Sequence, residues 1–260
     1  MTKTLISDLS KVSETLLIPL VVKAKEAARK NPLFVDKKSV ELLDKIDTGE
    51  IIIDGGPIST HGILARTQVI DNGVKELLDR IPKATIINLG AGLDTRMSRL
   101  DNGALRWYDL DFKEVIELRR RFFEENERMI FIEKSVMDFS WMDEIHLLPD
   151  ETTIIIAEGL MMYFSESDIK QLFSQISIHF PKAHMFFDVV HPYFVGKGIN
   201  SIFKWGIANA NDICRLTDSV QVIQSWSTGN LLKSRQPFFL RLMNVFPSTR
   251  NRSQVLHIQF

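Results

Sequence analysis

The chain has 260 residues, 45% hydrophobic, 25% charged and 9% aromatic, a composition that fits one large α/β core with elaborations. With 32 basic and 33 acidic residues the net charge is −1, which argues against a non-specific nucleic-acid or anionic-membrane surface as the main business of the chain. The single cysteine, Cys214, excludes an intrachain disulfide framework and an all-cysteine metal cage; it reads as a small buried hydrophobe.

Residues 1–82 read as a helical cap in front of a sheet domain. "SETLLIPLVVKAKEAARK" and "DKKSVELLDKID" carry helical apolar spacing, and "ARTQVIDNGVKELLDRI" aligns Val69, Val74, Leu77, Leu78 and Ile81 before Pro82 stops it. No strand–helix–strand unit shows in this part. The apolar run Leu16–Val22 is interrupted by Pro19, and no stretch reaches the roughly 20 residues of a membrane span. A cytoplasmic protein is the expectation.

From residue 83 to 190 the texture alternates. "ATIINLG", "ALRWYDLD", "MIFIEKS", "TTIIIAEG" and "AHMFFDVV" read as strands, separated by the helical candidates "TRMSRL", "FKEVIELRRRFFEEN", "FSWMDEIH" and "SESDIKQLFSQISIHF". The "RRR" of residues 119–121 is most simply a solvated face. Residues 191–216 form an insert rich in glycine and aromatics, fitting either a lid over a hydrophobic substrate or a packed core insertion. "VQVIQSWS" and "SQVLHIQF" then close residues 217–260 as an edge pair. The expected fold is a seven-stranded, mostly parallel, doubly wound sheet in one domain.

Ligands of open α/β sheets bind at the carboxyl ends of the strands, so the residues there matter most. The first strand ends in Gly90-Ala91-Gly92, where missing Cβ atoms permit a sharp turn and a close ligand. Thr95 stands where a dinucleotide fingerprint has its third glycine, and no Gly-Lys-Ser/Thr follows for a phosphate loop. The second strand ends in "YDLDF". Asp109 and Asp111 share a face, and Asp111 suits either ribose hydroxyls or the cap of the next helix. After the third strand, Asp138 and Phe139 suit an adenine, or Asp138 a helix cap. The fourth strand delivers Glu158 to the same edge.

Taken together these pieces resemble the family of leucine carboxyl methyltransferases and tetracenomycin-type polyketide O-methyltransferases, class I S-adenosylmethionine-dependent enzymes. The resemblance rests on "KAKE", "NPLFVD", "ARTQVID", "NLGAGLDTRMSRL", "WYDLDFKEVIELRR", "SVMDFSW" and "AEGLMMYF", in family order over roughly residues 16–190. Asp109 stands where the family commonly has Glu, and Lys113 where it has Pro. The resemblance implies a Rossmann-like pocket for S-adenosylmethionine. Gly90 and Gly92 would border its aminoacyl part, with Arg66 and Lys23 at its carboxylate. Asp111 would hold the ribose, Asp138 and Phe139 would border adenine, and Glu158 would lie near the amino group or sulfonium. Asp94, Thr95 and Arg96 would brace the turn.

The expected reaction is O-methylation of a carboxylate or acidic hydroxyl on a small, polyketide-like molecule, with no metal. The alternatives are a protein C-terminal carboxylate as acceptor, or a nucleotide-binding module without catalysis. Among His184, His191, Tyr193 and Tyr163, the strongest candidates near the transferred methyl group are Tyr163, implied by the resemblance as a positioning group, and His191 at a strand end as a base. A carboxylate is anionic at neutral pH and needs no base. A phenol is only about 0.1% ionised there, a deficit of about 4 kcal/mol. The sequence leaves the oligomeric state open.

Overall fold

A computed structural model describes residues 4–5, 16–47, 56–147, 151–197 and 201–260. The seven runs of apolar β-formers all become strands of one sheet. These are β1 (Ala84–Leu89), β2 (Arg106–Asp111), β3 (Met129–Glu133), β4 (Thr152–Ala157), β5 (His184–Val190), β6 (Gln221–Ser227) and β7 (Ser253–Gln259). Their order is β3-β2-β1-β4-β5-β7-β6; the first five are parallel, and β7 enters antiparallel beside β5 with β6 outside it. The order reverses between β1 and β4, which opens a crevice at their carboxyl ends.

The central strands are buried on both sides, and alternation sends successive side chains to opposite layers. Ile86, Trp107, Ile154 and Phe186 pack against Val69, Ile70, Val74 and Leu78 of helix α3 (Gly56–Arg80). Ile87, Tyr108, Ile155 and Phe187 face the other way, onto Ile169, Leu172, Phe173 and Ile176 of α6 (Glu166–His179). Helix α3 therefore covers the sheet. It begins nine residues before the expected "ARTQVID" run, at Gly56-Pro57, where a proline in the first turn removes only an amide that has no intrahelical acceptor.

Helices α1 (Leu17–Ala27) and α2 (Lys37–Lys45) lie over the strand ends, joining Leu17, Leu20 and Leu42 to Leu93, Leu118 and Phe122. Asp36 caps α2 by accepting from the Ser39 amide. Beside the helices expected here, Thr4–Leu5 pairs in parallel with Ile46–Asp47, two residues on each side. Between β1 and β3 lie α4 (Arg96–Leu100) and α5 (Lys113–Arg119). Helix α5 is shorter than its charged sequence led us to expect.

Two further expectations are corrected. Arg119 of the "RRR" run is buried; its guanidinium bonds Asp109 Oδ2 at 2.6 Å and the carbonyls of Gly92 and Asp94, while Arg120 and Arg121 stay exposed. Arg119 lies three residues after the buried Ile116, on the inward face of the helix. Cys214 is exposed, because the one buried position of the 3₁₀ turn Ala210–Arg215 goes to Ile213. The insert after β5 divides its aromatics: Trp205 enters the core and Tyr193 is exposed.

Candidate functional site

At the switch point between β1 and β4 lies a cavity of about 510 Å³, a size that suits a small molecule. The ends of β1, β2 and β4, the insert after β5 and helices α1 and α3 meet there. The chain leaves β1 through Gly90 and Gly92 with φ of 65° and 49°, a left-handed path that side chains other than glycine seldom take. A Cβ on Gly90 would also come within 3.0 Å of Leu160 Cδ1. Asp111, at the end of β2, holds this turn: its Oδ2 accepts the Gly92 amide at 2.8 Å and its Oδ1 the Phe112 amide at 2.7 Å. Burial raises the Asp111 pKa, and the two amides work against that.

Asp109 points to the same side one step earlier but is fully buried. Asn88 Nδ2, Trp107 Nε1 and Arg119 all donate to it. Burial pushes its pKa up, with Arg119 opposing. The two acids of "YDLD" thus divide their work: Asp109 ties β2 to β1 and α5, and Asp111 reaches the cavity wall.

The opposite wall is a buried ionic lattice. Arg66 of α3 donates through Nε to Glu158 Oε1 at 2.9 Å and through Nη1 to Asp188 Oδ2 at 3.1 Å. Arg96, with no exposed side-chain surface, binds Asp71 at 2.6 Å and also pairs with Asp94 and Glu158. Lys23 bonds Asp94 at 2.9 Å, and Arg99 links Asp71 to Asp36. Burial alone would raise the Glu158 pKa, but Arg96, Arg66 and Lys23 hold it at about 2. Asp94 is likewise held far below the usual range by Arg96, Lys23 and Arg99 against its burial. Both are firmly anionic at neutral pH.

The structure brings most of the expected residues to this one cavity. Lys23, Arg66, Gly90, Gly92, Asp111, Glu158 and Tyr163 all line it. Tyr163 sits in the turn after β4, its ring edge-on to Phe203 with centroids 5.3 Å apart. Burial raises the phenol's pKa, so it remains a protonated hydrogen-bond donor. Thr95 gives α4 no side-chain cap; its hydroxyl instead donates to Asp36 at 2.6 Å, tying the turn to α2.

Three expected residues lie apart from the lining. Asp138 is exposed and caps a 3₁₀ turn by accepting from the Ser140 amide and hydroxyl. Phe139, half-buried, packs on the hydrophobic core. His191 uses Nδ1 to accept the Tyr193 amide in the turn after β5, so its ring closes a local bend. Conversely Asn88, Asp94 and Met162 line the cavity without having been expected there, and Phe203 of the insert after β5, read as either a lid or a packed insertion, lines it too. Asp188 was also missed. A carboxylate inside the apolar strand "FFDVV" was its signal, since a buried acid must find partners, here Arg66 and the Gly159 amide.

The sequence model of the leucine carboxyl methyltransferase family matches residues 23–177. The tetracenomycin polyketide synthesis O-methyltransferase TcmP of Streptomyces glaucescens is 28% identical over 228 residues, 84% of this chain and 84% of that protein. The S-adenosyl-L-methionine-dependent methyltransferase dpfgK of Gibberella zeae is 32% identical over 187 residues, 66% of this chain and 62% of that protein. Among solved structures, magnesium protoporphyrin IX methyltransferase from Synechocystis PCC 6803, with bound S-adenosylmethionine, superposes with a TM-score of 0.51 at 9% identity, covering 93% of this chain and 96% of the other. A methyltransferase from Anabaena variabilis gives 0.51 at 14% identity, over 75% and 83% of the two chains. At such identities the likeness is one of fold.

Proposed function

We propose, from the premise that this chain belongs to the leucine carboxyl methyltransferase family and is an S-adenosylmethionine-dependent methyltransferase, that it methylates an oxygen already anionic at neutral pH, a carboxylate or acidic hydroxyl on a small, polyketide-like molecule. The residues present fit the cofactor. Arg66 lines the cavity and spends Nε and Nη1 on carboxylates, which among the described residues leaves Nη2 as a donor suited to an amino acid's carboxylate. Asp111 keeps lone pairs for hydroxyl donors after accepting two amides, and the Gly90–Gly92 turn leaves space between these groups. When bound, S-adenosylmethionine supplies an electrophilic methyl group on a sulfonium.

The chain's own work is to orient and to exclude water, which can supply roughly 7–11 kcal/mol of the barrier. Met162, Tyr163 and Phe203 form an apolar wall for the acceptor, with the Tyr163 hydroxyl as a donor that positions its oxygen. The acceptor class rests on one observation: among the described residues lining the cavity there is no histidine, and Glu158 is held ionised by three cations. With a pKa of about 2 it is a poor proton acceptor at pH 7, so an acceptor needing deprotonation finds no help from it.

The test is the pH dependence of single-turnover methylation of simple aromatic acids and phenols, with tritiated S-adenosylmethionine. Carboxylates should give a rate flat from about pH 6 to 9. Turnover of phenols alone, with a rate that rises tenfold per pH unit, would defeat the reading.

A further inference from the structure

The near-neutral charge of the whole chain averages two unlike parts. Residues 219–260 hold five Lys or Arg and no Asp or Glu, so residues 1–218 carry all 33 acidic residues but only 27 of the 32 basic ones. Within the basic part lies α7 (Phe238–Met243), followed by the turn to Phe246. Phe238 is 81% exposed, and Phe239, Leu242, Val245 and Phe246 are exposed as well. Leu240 is the one buried residue of the helix, so apolar side chains stand out on its remaining sides. An exposed apolar patch of this extent marks a contact surface.

Cations stand beside the ridge. Lys233 and Arg241 are exposed, and Arg241 spends its Nε on a backbone carbonyl, that of Gln236. Arg29 borders the depression next to Pro237, where Glu26 is already engaged by Arg235 at 3.0 Å. The topology also fixes which edge of the sheet carries the ridge. Ser227, the end of β6, pairs with Gln254, and Ser253, the start of β7, pairs with Val190 at the end of β5. The connection 228–252 therefore leaves and re-enters the sheet at the edge that holds Gly90, Asp111 and Glu158.

We propose that Phe238–Phe246 is a peripheral docking surface for an anionic lipid bilayer. The phenylalanines and Leu242 enter the interfacial layer, while Lys233 and Arg241 meet headgroup phosphates, the pairing of apolar insertion with basic flanks that interfacial binding requires. Charge selects this occupant. A two-fold contact with a second copy would press Lys233 and Arg241 of both chains together, whereas an anionic surface complements them. The contact is peripheral, since among the described residues no helix is long and apolar enough to cross a membrane. It also sets the cavity on the membrane-facing side, where a lipophilic acceptor would be held.

Sedimentation of the purified chain with phosphatidylcholine vesicles, with and without about a third phosphatidylserine, tests the proposal at low salt. Binding to the anionic vesicles should be about tenfold tighter or more, at roughly fivefold per cation. The variant F238S/F246S should lose it with an unchanged thermal midpoint and unchanged affinity for S-adenosylmethionine, and K233E/R241E should lose the anionic preference alone. No binding to the mixed vesicles, or equal binding by F238S/F246S, overturns the proposal. A dimer in sedimentation velocity that F238S/F246S dissociates would also overturn it, giving the ridge to a second copy.

Discussion

Arg66 and Glu158 are joined Nε to Oε1 at 2.9 Å across 92 residues of sequence, and this pair connects the helix that covers the sheet to the carboxyl end of its central strand. The same guanidinium holds Asp188 on the neighbouring strand. Replacing it by Arg66→Lys keeps one positive charge but removes the planar fork that serves two carboxylates and, on the proposed reading, the cofactor as well. The KM for S-adenosylmethionine should rise about tenfold or more with kcat less affected, and stability should fall by about 1–3 kcal/mol as a buried carboxylate loses its donor. Calorimetric titration and thermal unfolding read the two effects separately. Unchanged cofactor affinity would remove Arg66 from the binding site.

Asp111 differs from the lattice acids, since burial raises its pKa and amides rather than cations oppose the rise. If its carboxylate holds the cofactor's hydroxyls, affinity should be full at neutral pH. On acidification it should fall earlier than an ordinary carboxylate would allow, because the protonated form is favoured sooner. Asp111→Asn should weaken binding about 10- to 100-fold, the loss expected of hydrogen bonds to a charged group, and should abolish this acid-side dependence. A persistent pH dependence in the variant would assign it to another group.

Asp109 and Arg119 form a pair with almost no solvent contact, 2.6 Å apart, and neither lines the cavity. Arg119→Met should cost about 3–5 kcal/mol, because Asp109 would remain as an uncompensated buried charge. Asp109→Asn in the same chain should recover a substantial part. Urea unfolding measures both, and a full-cost double variant would show that Arg119 acts chiefly through the Gly92 and Asp94 carbonyls.

How much of the molecule is legible in its sequence depends on how far each signal reaches. Strands buried on both faces are continuous apolar runs, so β1 to β5 are visible locally, and the residues at their ends mark the crevice. A side chain's direction is decided elsewhere. Whether the "RRR" run faces water depends on Asp109, ten residues earlier, which receives Arg119. Asp138 and His191 have residue types that suit chemistry, yet each finds a nearby amide and becomes a cap. The ionic lattice is less legible still, because Asp36, Asp71, Arg96, Glu158 and Asp188 come from five separate segments.

The pairing of β5 with β7 carries its own pH dependence. His184 Nδ1 lies 2.9 Å from His257 Nε2, and the His257 ring stacks on Phe186 at 4.1 Å between centroids. One nitrogen of the contact must accept while the other donates, so the bond requires a neutral acceptor. Burial lowers the pKa of both rings, and His184 helps to bring that of His257 down to about 4. Well above pH 6.5 both histidines are neutral whether the chain is folded or unfolded, and they add no pH dependence. As the pH falls from 6.5 toward 4, the unfolded chain takes up protons that the folded pair refuses, so stability decreases through that window. His257→Gln, whose amide can still meet His184, should flatten that part of the curve in thermal unfolding followed from pH 8 to 4. An unchanged slope between pH 6.5 and 4 in this variant would show that the acid sensitivity arises from carboxylates of the ionic lattice instead.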